Sequence, residues 1–208
     1  MAKVKMSKKA ASIDMTAMCD VAFLLLTFFI LTATAKSPEP LPVDTPSSTV
    51  QTKLPETDLA IITVGKNNNE DQVFYGLKGK ELRIKTLEFM AQKYNISFTD
   101  EEIAQFALIE EFGVPIEALK QVLAMKNSDR IKQGVQTGIP TDSINNQLKD
   151  WVYTSRQANA ELKDEDLKFA IKGDAKELYP RIQKIMDMLQ DQDVNSFNLV
   201  TGLRGKDY

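Results

Sequence analysis

The sequence predicts a single N-terminal transmembrane α-helix followed by a small two-layer α+β domain, of order β-β-α-β-α-β, that carries a helical insertion. Three observations predict it. The only long apolar run lies at residues 17–35. A Pro/Ser/Thr-rich stretch, SPEPLPVDTPSSTVQTKLPET at 37–57, separates that run from all that follows. Beyond it, strand-like and helix-like hydrophobic patterns alternate in short segments. The expected organisation is a basic cytoplasmic tail at 1–12, a transmembrane anchor at 13–36, a linker at 37–57 and a folded domain at 58–208, with the insertion at about 80–140.

The anchor comes first. A spanning helix needs about 20 residues, at a rise of about 1.5 Å each, to cross roughly 30 Å of hydrocarbon. AMCDVAFLLLTFFILTATAK at 17–36 meets that length. Residues 1–36 carry five lysines (Lys3, Lys5, Lys8, Lys9, Lys36) against Asp14 and Asp20, a balance of +3, while the whole chain is −3, which leaves −6 for residues 37–208. Basic residues ahead of a single span hold that end in the cytoplasm, so the acidic remainder is expected outside. An acidic domain is also a poor nucleic-acid binder, because phosphate contacts need clustered Lys and Arg. Ala33-Thr34-Ala35 before Lys36 also fits a cleavable secretory signal. The run exceeds a typical signal core of about 7–15 residues, however, and a signal has no use for a carboxylate. A retained anchor is the expectation.

The carboxylate is Asp20, and it does not stand alone. At 3.6 residues per turn, Thr16, Thr27 and Thr34 fall within about 40° of it, which makes one polar stripe on an otherwise Phe/Leu/Ile surface. A threonine in a membrane helix often bonds its own backbone and signifies nothing more. Asp20 is harder to dismiss. An Asp at a helix centre costs about 2.5–3.5 kcal/mol to insert, and its short side chain cannot snorkel as lysine does. Such residues face a bundle interior or a water-filled cavity and mark ion paths. A carboxylate placed that way can take a proton from one side and release it to the other. One helix makes no pathway, so partner helices are implied.

After the anchor, the linker is expected to be extended, reaching on the order of 60 Å at about 3.1 Å per residue. DLAIITVG (58–65) and QVFYGL (72–77) read as a hairpin across KNNNED. Residues 144–162, with Ile144, Leu148, Trp151 and Val152, read as an amphipathic helix; strand 167–171, helix 175–190 and strand 197–201 follow. Residues 80–140 fall outside that order. Thr99-Asp-Glu-Glu102 is a capping box ahead of IAQFALIEEF, and Val114-Pro115 opens IEALKQVLAM. Helices at 103–112 and 116–125 are expected as an αα-hairpin over the sheet edge, with packing favoured over docking as their role.

Several chemistries are unsupported. The sequence has no histidine, which removes the commonest general base and metal ligand. Cys19 is the only cysteine, so no internal disulfide forms. GLKGKE (76–81) and GLRGKD (202–207) lack the spacing of a phosphate loop, and NNNED (67–71) and DQDVN (191–195) lack the glycine and terminal glutamate of a calcium loop. No cofactor, metal or enzymatic activity is expected.

IDMTAMCDVAFLLLTFFILTAT (13–34) resembles the anchor of the ExbD/TolR family of biopolymer transporters: a Thr, a short gap, then Asp-Val and an apolar span. Thr16 and Asp20-Val21 match in place; Ala17 stands where the family often has proline. LKFAIKGDAKELYPRIQKIMDMLQDQDVNSFNLVTG (167–202) resembles the family's strand-helix-strand ending, with Lys172, Asp174, Tyr179 and Leu199-Val200-Thr201 corresponding. The resemblance implies a proton-driven motor subunit of the bacterial inner membrane with a periplasmic C-terminal domain. It implies Asp20 as the proton-carrying residue, dimerisation, a pentameric ExbB- or TolQ-type ring as partner, TonB or TolA as energy transducer, and contact with the cell wall as an option. TonB-linked and Tol-linked roles stay open here. So do a membrane-anchored periplasmic adaptor without a proton role and a secreted binding protein. Asp20 separates the motor from the adaptor, which would gain nothing from it.

Overall fold

The computed structural model describes residues 15–33, 39–41, 43–48, 54–55, 57–67, 70–132, 134–142, 145–163, 165–174 and 179–203. The chain forms two compact units, residues 1–37 and 38–208. In the first, helix α1 spans Met15–Thr32, has a mean hydropathy of 2.0 and buries no residue. It is long and apolar enough to cross a membrane.

The second unit begins with the two-residue strand β1 (Ser47–Ser48). Strands β2 (Leu59–Asn67) and β3 (Glu70–Leu77) then form the expected antiparallel hairpin, in register Ala60 with Leu77 through Asn67 with Glu70. Helix α2 (Lys80–Tyr94) follows Gly79, whose φ of +111° favours a residue without Cβ. It ends at Asn95 in the left-handed conformation, with the cap N–H bonded to the Ala91 and Gln92 carbonyls. Helix α3 (Asp100–Phe106), strand β4 (Glu111–Phe112), helix α4 (Ile116–Ala124) and the single turn α5 (Asn127–Arg130) come next. Helix α6 (Gln147–Leu162), strand β5 (Lys168–Gly173), helix α7 (Tyr179–Gln190), strand β6 (Phe197–Val200) and strand β7 (Gly202–Leu203) complete the unit. Ile144 and residues 175–178 lie outside the described residues.

The main sheet has the order β4-β3-β2-β5-β6, with β2, β5 and β6 mutually parallel and β3 and β4 antiparallel to their neighbours. Strand residues alternate between its two faces. Ala60, Ile62, Val64, Val73, Tyr75, Phe112, Phe169 and Ile171 point into the core under the helices. Leu82, Leu87 and Met90 of α2 meet Leu148, Trp151 and Val152 of α6 there. An aromatic group of Phe106, Phe112, Trp151 and Tyr75 fills the centre, and the fully buried Tyr75 hydroxyl is satisfied by Ser155 Oγ at 2.6 Å. Burial pushes the Tyr75 phenol well above its ordinary range, which leaves it neutral.

Three expectations change. The segment 80–140 takes the packing role expected of it but is part of the core rather than an insertion beside it: α2 is a core helix, and Phe106, Ile109, Phe112, Val114, Ile116, Leu119, Val122 and Leu123 belong to the same hydrophobic cluster as the sheet. The helix expected at 103–112 starts at Asp100 behind the Thr99–Glu102 capping box and stops at Phe106. Phe106, Ile109 and Phe112 recur every third residue, which reads as helix. The open edge of β3 needs hydrogen-bond partners, however, and residues 111–112 supply them as a strand rather than as half of an αα-hairpin. Arg83 fixes this turn, donating to the Leu77 carbonyl at 2.7 Å and the Ala107 carbonyl at 2.7 and 2.9 Å.

The third change concerns the linker. Part of 37–57 is docked rather than free. Leu41 is only 3% exposed, β1 pairs in parallel with β7, and Glu39 is ion-paired with Lys172. Gly65 makes the seat. A Cβ there would lie 2.6 Å from Val43 Cγ1 and 3.1 Å from Leu41 Cδ2, so the missing side chain is what lets the segment lie against β2.

Candidate functional site

The candidate site is the polar stripe of α1. Thr16, Asp20 and Thr27 lie on the helix as expected, while Thr34 falls outside the described residues. The helix forms because its interior holds neither Gly nor Pro, and its apolar side chains are buried in no protein core among the described residues. Asp20 is the only formally charged side chain between Met15 and Thr32. Among the described residues it has no hydrogen-bond or ion-pair partner, so nothing resolved in its own chain offsets removing this group from water.

Thr27 behaves differently. Its hydroxyl donates to the Leu24 carbonyl at 2.9 Å, within its own helix. Thr32, which sits about 120° around from Asp20 at 100° per residue, does the same toward Phe28 O at 2.8 Å. A threonine hydroxyl satisfied by its own backbone needs no partner helix. Phe28 and Phe29 meet edge to face, with ring centroids 5.9 Å apart. Phe23, Leu24, Phe28 and Leu31 are all exposed, Leu31 most of all at 85%.

A second group of charges, missed in the sequence, lies within the second unit on the sheet face opposite the helices. Thr63 of β2 pairs in register with Lys172 of β5, and Glu111 of β4 stands beside Gly76 of β3. Gly76 is tightly enclosed, since a Cβ would come within 2.9 Å of the Glu110 carbonyl. The Glu111 side chain packs beside this bare backbone, and neither Glu111 Oε1 nor the buried Thr63 Oγ1 has a hydrogen-bond partner among the described residues. Burial raises the Glu111 carboxyl above its ordinary range; Thr63 and the lysines at 172 and 78 oppose that, while Glu39 adds to it. Lys172 is ion-paired with Glu39 of the docked linker, and its charge also acts on the Glu111 carboxyl. The residues of the C-terminal motif take structural places here. Lys172 holds Glu39, the Asp174 N–H donates to the Val64 carbonyl at 3.1 Å, Tyr179 opens α7, and Leu199 stands exposed on the last strand of the main sheet. The sequence signal for the missed group was weak: a threonine and a lysine at alternate positions of otherwise apolar strands.

The model of the family described as Biopolymer transport protein ExbD/TolR matches residues 6–203, nearly the whole chain and through the segment 80–140. No curated protein and no solved structure matches the chain.

Proposed function

The chain belongs to the ExbD/TolR family of biopolymer transport proteins, and from that premise we propose that it couples the inner-membrane proton motive force to TonB-dependent transport across the outer membrane. The family consists of non-enzymatic transport components that work with ExbB/TolQ-type partners in membrane complexes. In this reading α1 spans the inner membrane with the lysine-rich end in the cytoplasm and residues 38–208 in the periplasm. Two copies pair inside a pentameric ExbB-type ring, and a TonB-type transducer carries the work outward.

The observation that carries the reading is Asp20, one carboxylate on an otherwise uncharged apolar helix and without a partner among the described residues. A group so costly to bury in lipid is retained where surrounding helices give it water and a use. Its role is to bind a proton on the periplasmic side and release it to the cytoplasmic side, moving ring and core relative to one another. Thr16 lies on the face of the helix that would border this path. A periplasmic adaptor has no need of the group.

The test is Asp20→Asn, which keeps shape and hydrogen bonding but cannot carry charge. In cells at equal expression, energised uptake should be lost while membrane insertion and the fold of the outer domain persist. Uptake and outer-membrane integrity both at the wild-type level in the Asn variant would sink the proton-carrier reading. Scoring outer-membrane integrity in parallel distinguishes the TonB-linked role from a TolR-type role, which rests on the same carboxylate. Intact uptake with a leaking envelope would point to the latter.

A further inference from the structure

A cleft of about 310 Å³ opens between the start of β3, the turn leading into α6, and the first turns of α7. Its floor is apolar. Val73, Leu148, Ile185 and Met188 are core residues whose outer surfaces line it. Its rims are polar and held in place. On one side Thr141 and Asn146 form an isolated antiparallel bridge, and Asn146 Oδ1 accepts from the Lys149 N–H at 3.0 Å as the cap of α6. On the other, Arg181 is ion-paired with Asp71 of β3, which ties α7 to the hairpin and cancels both charges.

Two charges remain. Asp142 on the turn and Lys184 on α7 both line the cleft, and neither has an ion-pair partner among the described residues. The cleft therefore presents a carboxylate from one wall, an ammonium from the other and an apolar floor between them. Its volume is at the small end of the roughly 300–1,000 Å³ that ligand sites occupy.

We propose that this cleft binds a small zwitterion with an apolar body, an amino acid or short peptide with free termini, its amino group toward Asp142 and its carboxylate toward Lys184. The pairing is a matter of charge order: a ligand lacking either terminus leaves one rim charge uncompensated and gains less. The site is independent of the proton role assigned to Asp20 and stands or falls separately from it.

The experiment uses the full chain in detergent, titrated calorimetrically with the dipeptide Ala-Leu, its N-acetyl form and its C-terminal amide. The free dipeptide should bind at least about tenfold more tightly than either capped form. Lys184→Met should bring the free dipeptide down to the level of the amide, and Asp142→Asn should bring it down to the acetylated form. Both positions are exposed, so neither change removes core packing. No heat of binding up to about 10 mM Ala-Leu, well beyond a useful affinity, would overturn the proposal. Equal binding of free and capped peptides, or variants with unchanged preference, would overturn it too.

Discussion

Asp20 and Thr27 share one stripe yet differ in what their atoms require. The Thr27 hydroxyl is already bonded to Leu24 O, so its presence on the stripe costs nothing in lipid and needs no partner helix. We therefore expect Thr27→Val, which conserves shape and loses only that bond within its own helix, to leave energised uptake within about twofold of wild type. The measurement is uptake rate at matched membrane levels. A loss as deep as that of Asp20→Asn would mean that the Thr27 hydroxyl takes part in the proton path. The placement of Asp20 was legible in the sequence because the period of a helix is fixed. Whether a given threonine bonds inward or outward was not, because that depends on a rotamer.

At the level of elements, the face of the sheet turned from the helices is where residues distant in sequence meet: Thr63, Lys172, Glu111 and Glu39. The Glu111 carboxyl is raised in the fold, chiefly by burial, so the folded domain holds this proton more tightly than the unfolded chain does. The stability this contributes is fully present below the carboxyl's ordinary value and is lost as pH rises through its folded value. Urea unfolding of wild type and Glu111→Gln from about pH 4 to pH 7 tests the sign, since Gln stays neutral across a range in which an ordinary Glu titrates. The variant should gain stability relative to wild type as pH rises. Parallel curves would show that Glu111 does not titrate in this window. The hairpin, α6, α7 and the strands around them were readable from alternation and helical spacing. Strand β4 was not, because Phe106, Ile109 and Phe112 fit a helix as well as they fit a turn and a strand. The open edge of β3 decided between them.

For the whole molecule, two units with separate physical requirements imply that one can be removed without unfolding the other. Residues 38–208 contain a continuous core from Ala60 to Val194, and the partly docked linker belongs to the same unit. Expressed without the anchor, they should be soluble and unfold in one cooperative urea transition with the same midpoint as the same unit in the full chain. A chain of this kind that binds hydrophobic dye and unfolds without cooperativity would show that the second unit depends on the N-terminal helix. The sequence by itself determined the long apolar N-terminal helix, the place of Asp20 on it and the alternating strands and helices after it, because each depends on local spacing and on the apolar content of a short window. Tertiary structure alone decided that 80–94 is a core helix and 111–112 a strand, that part of the linker lies against β2 at Gly65, and that the lysine paired with the linker glutamate also acts on Glu111. Those outcomes depend on which buried surfaces and unpaired strand edges are satisfied by residues far away in the chain, and no local period records that.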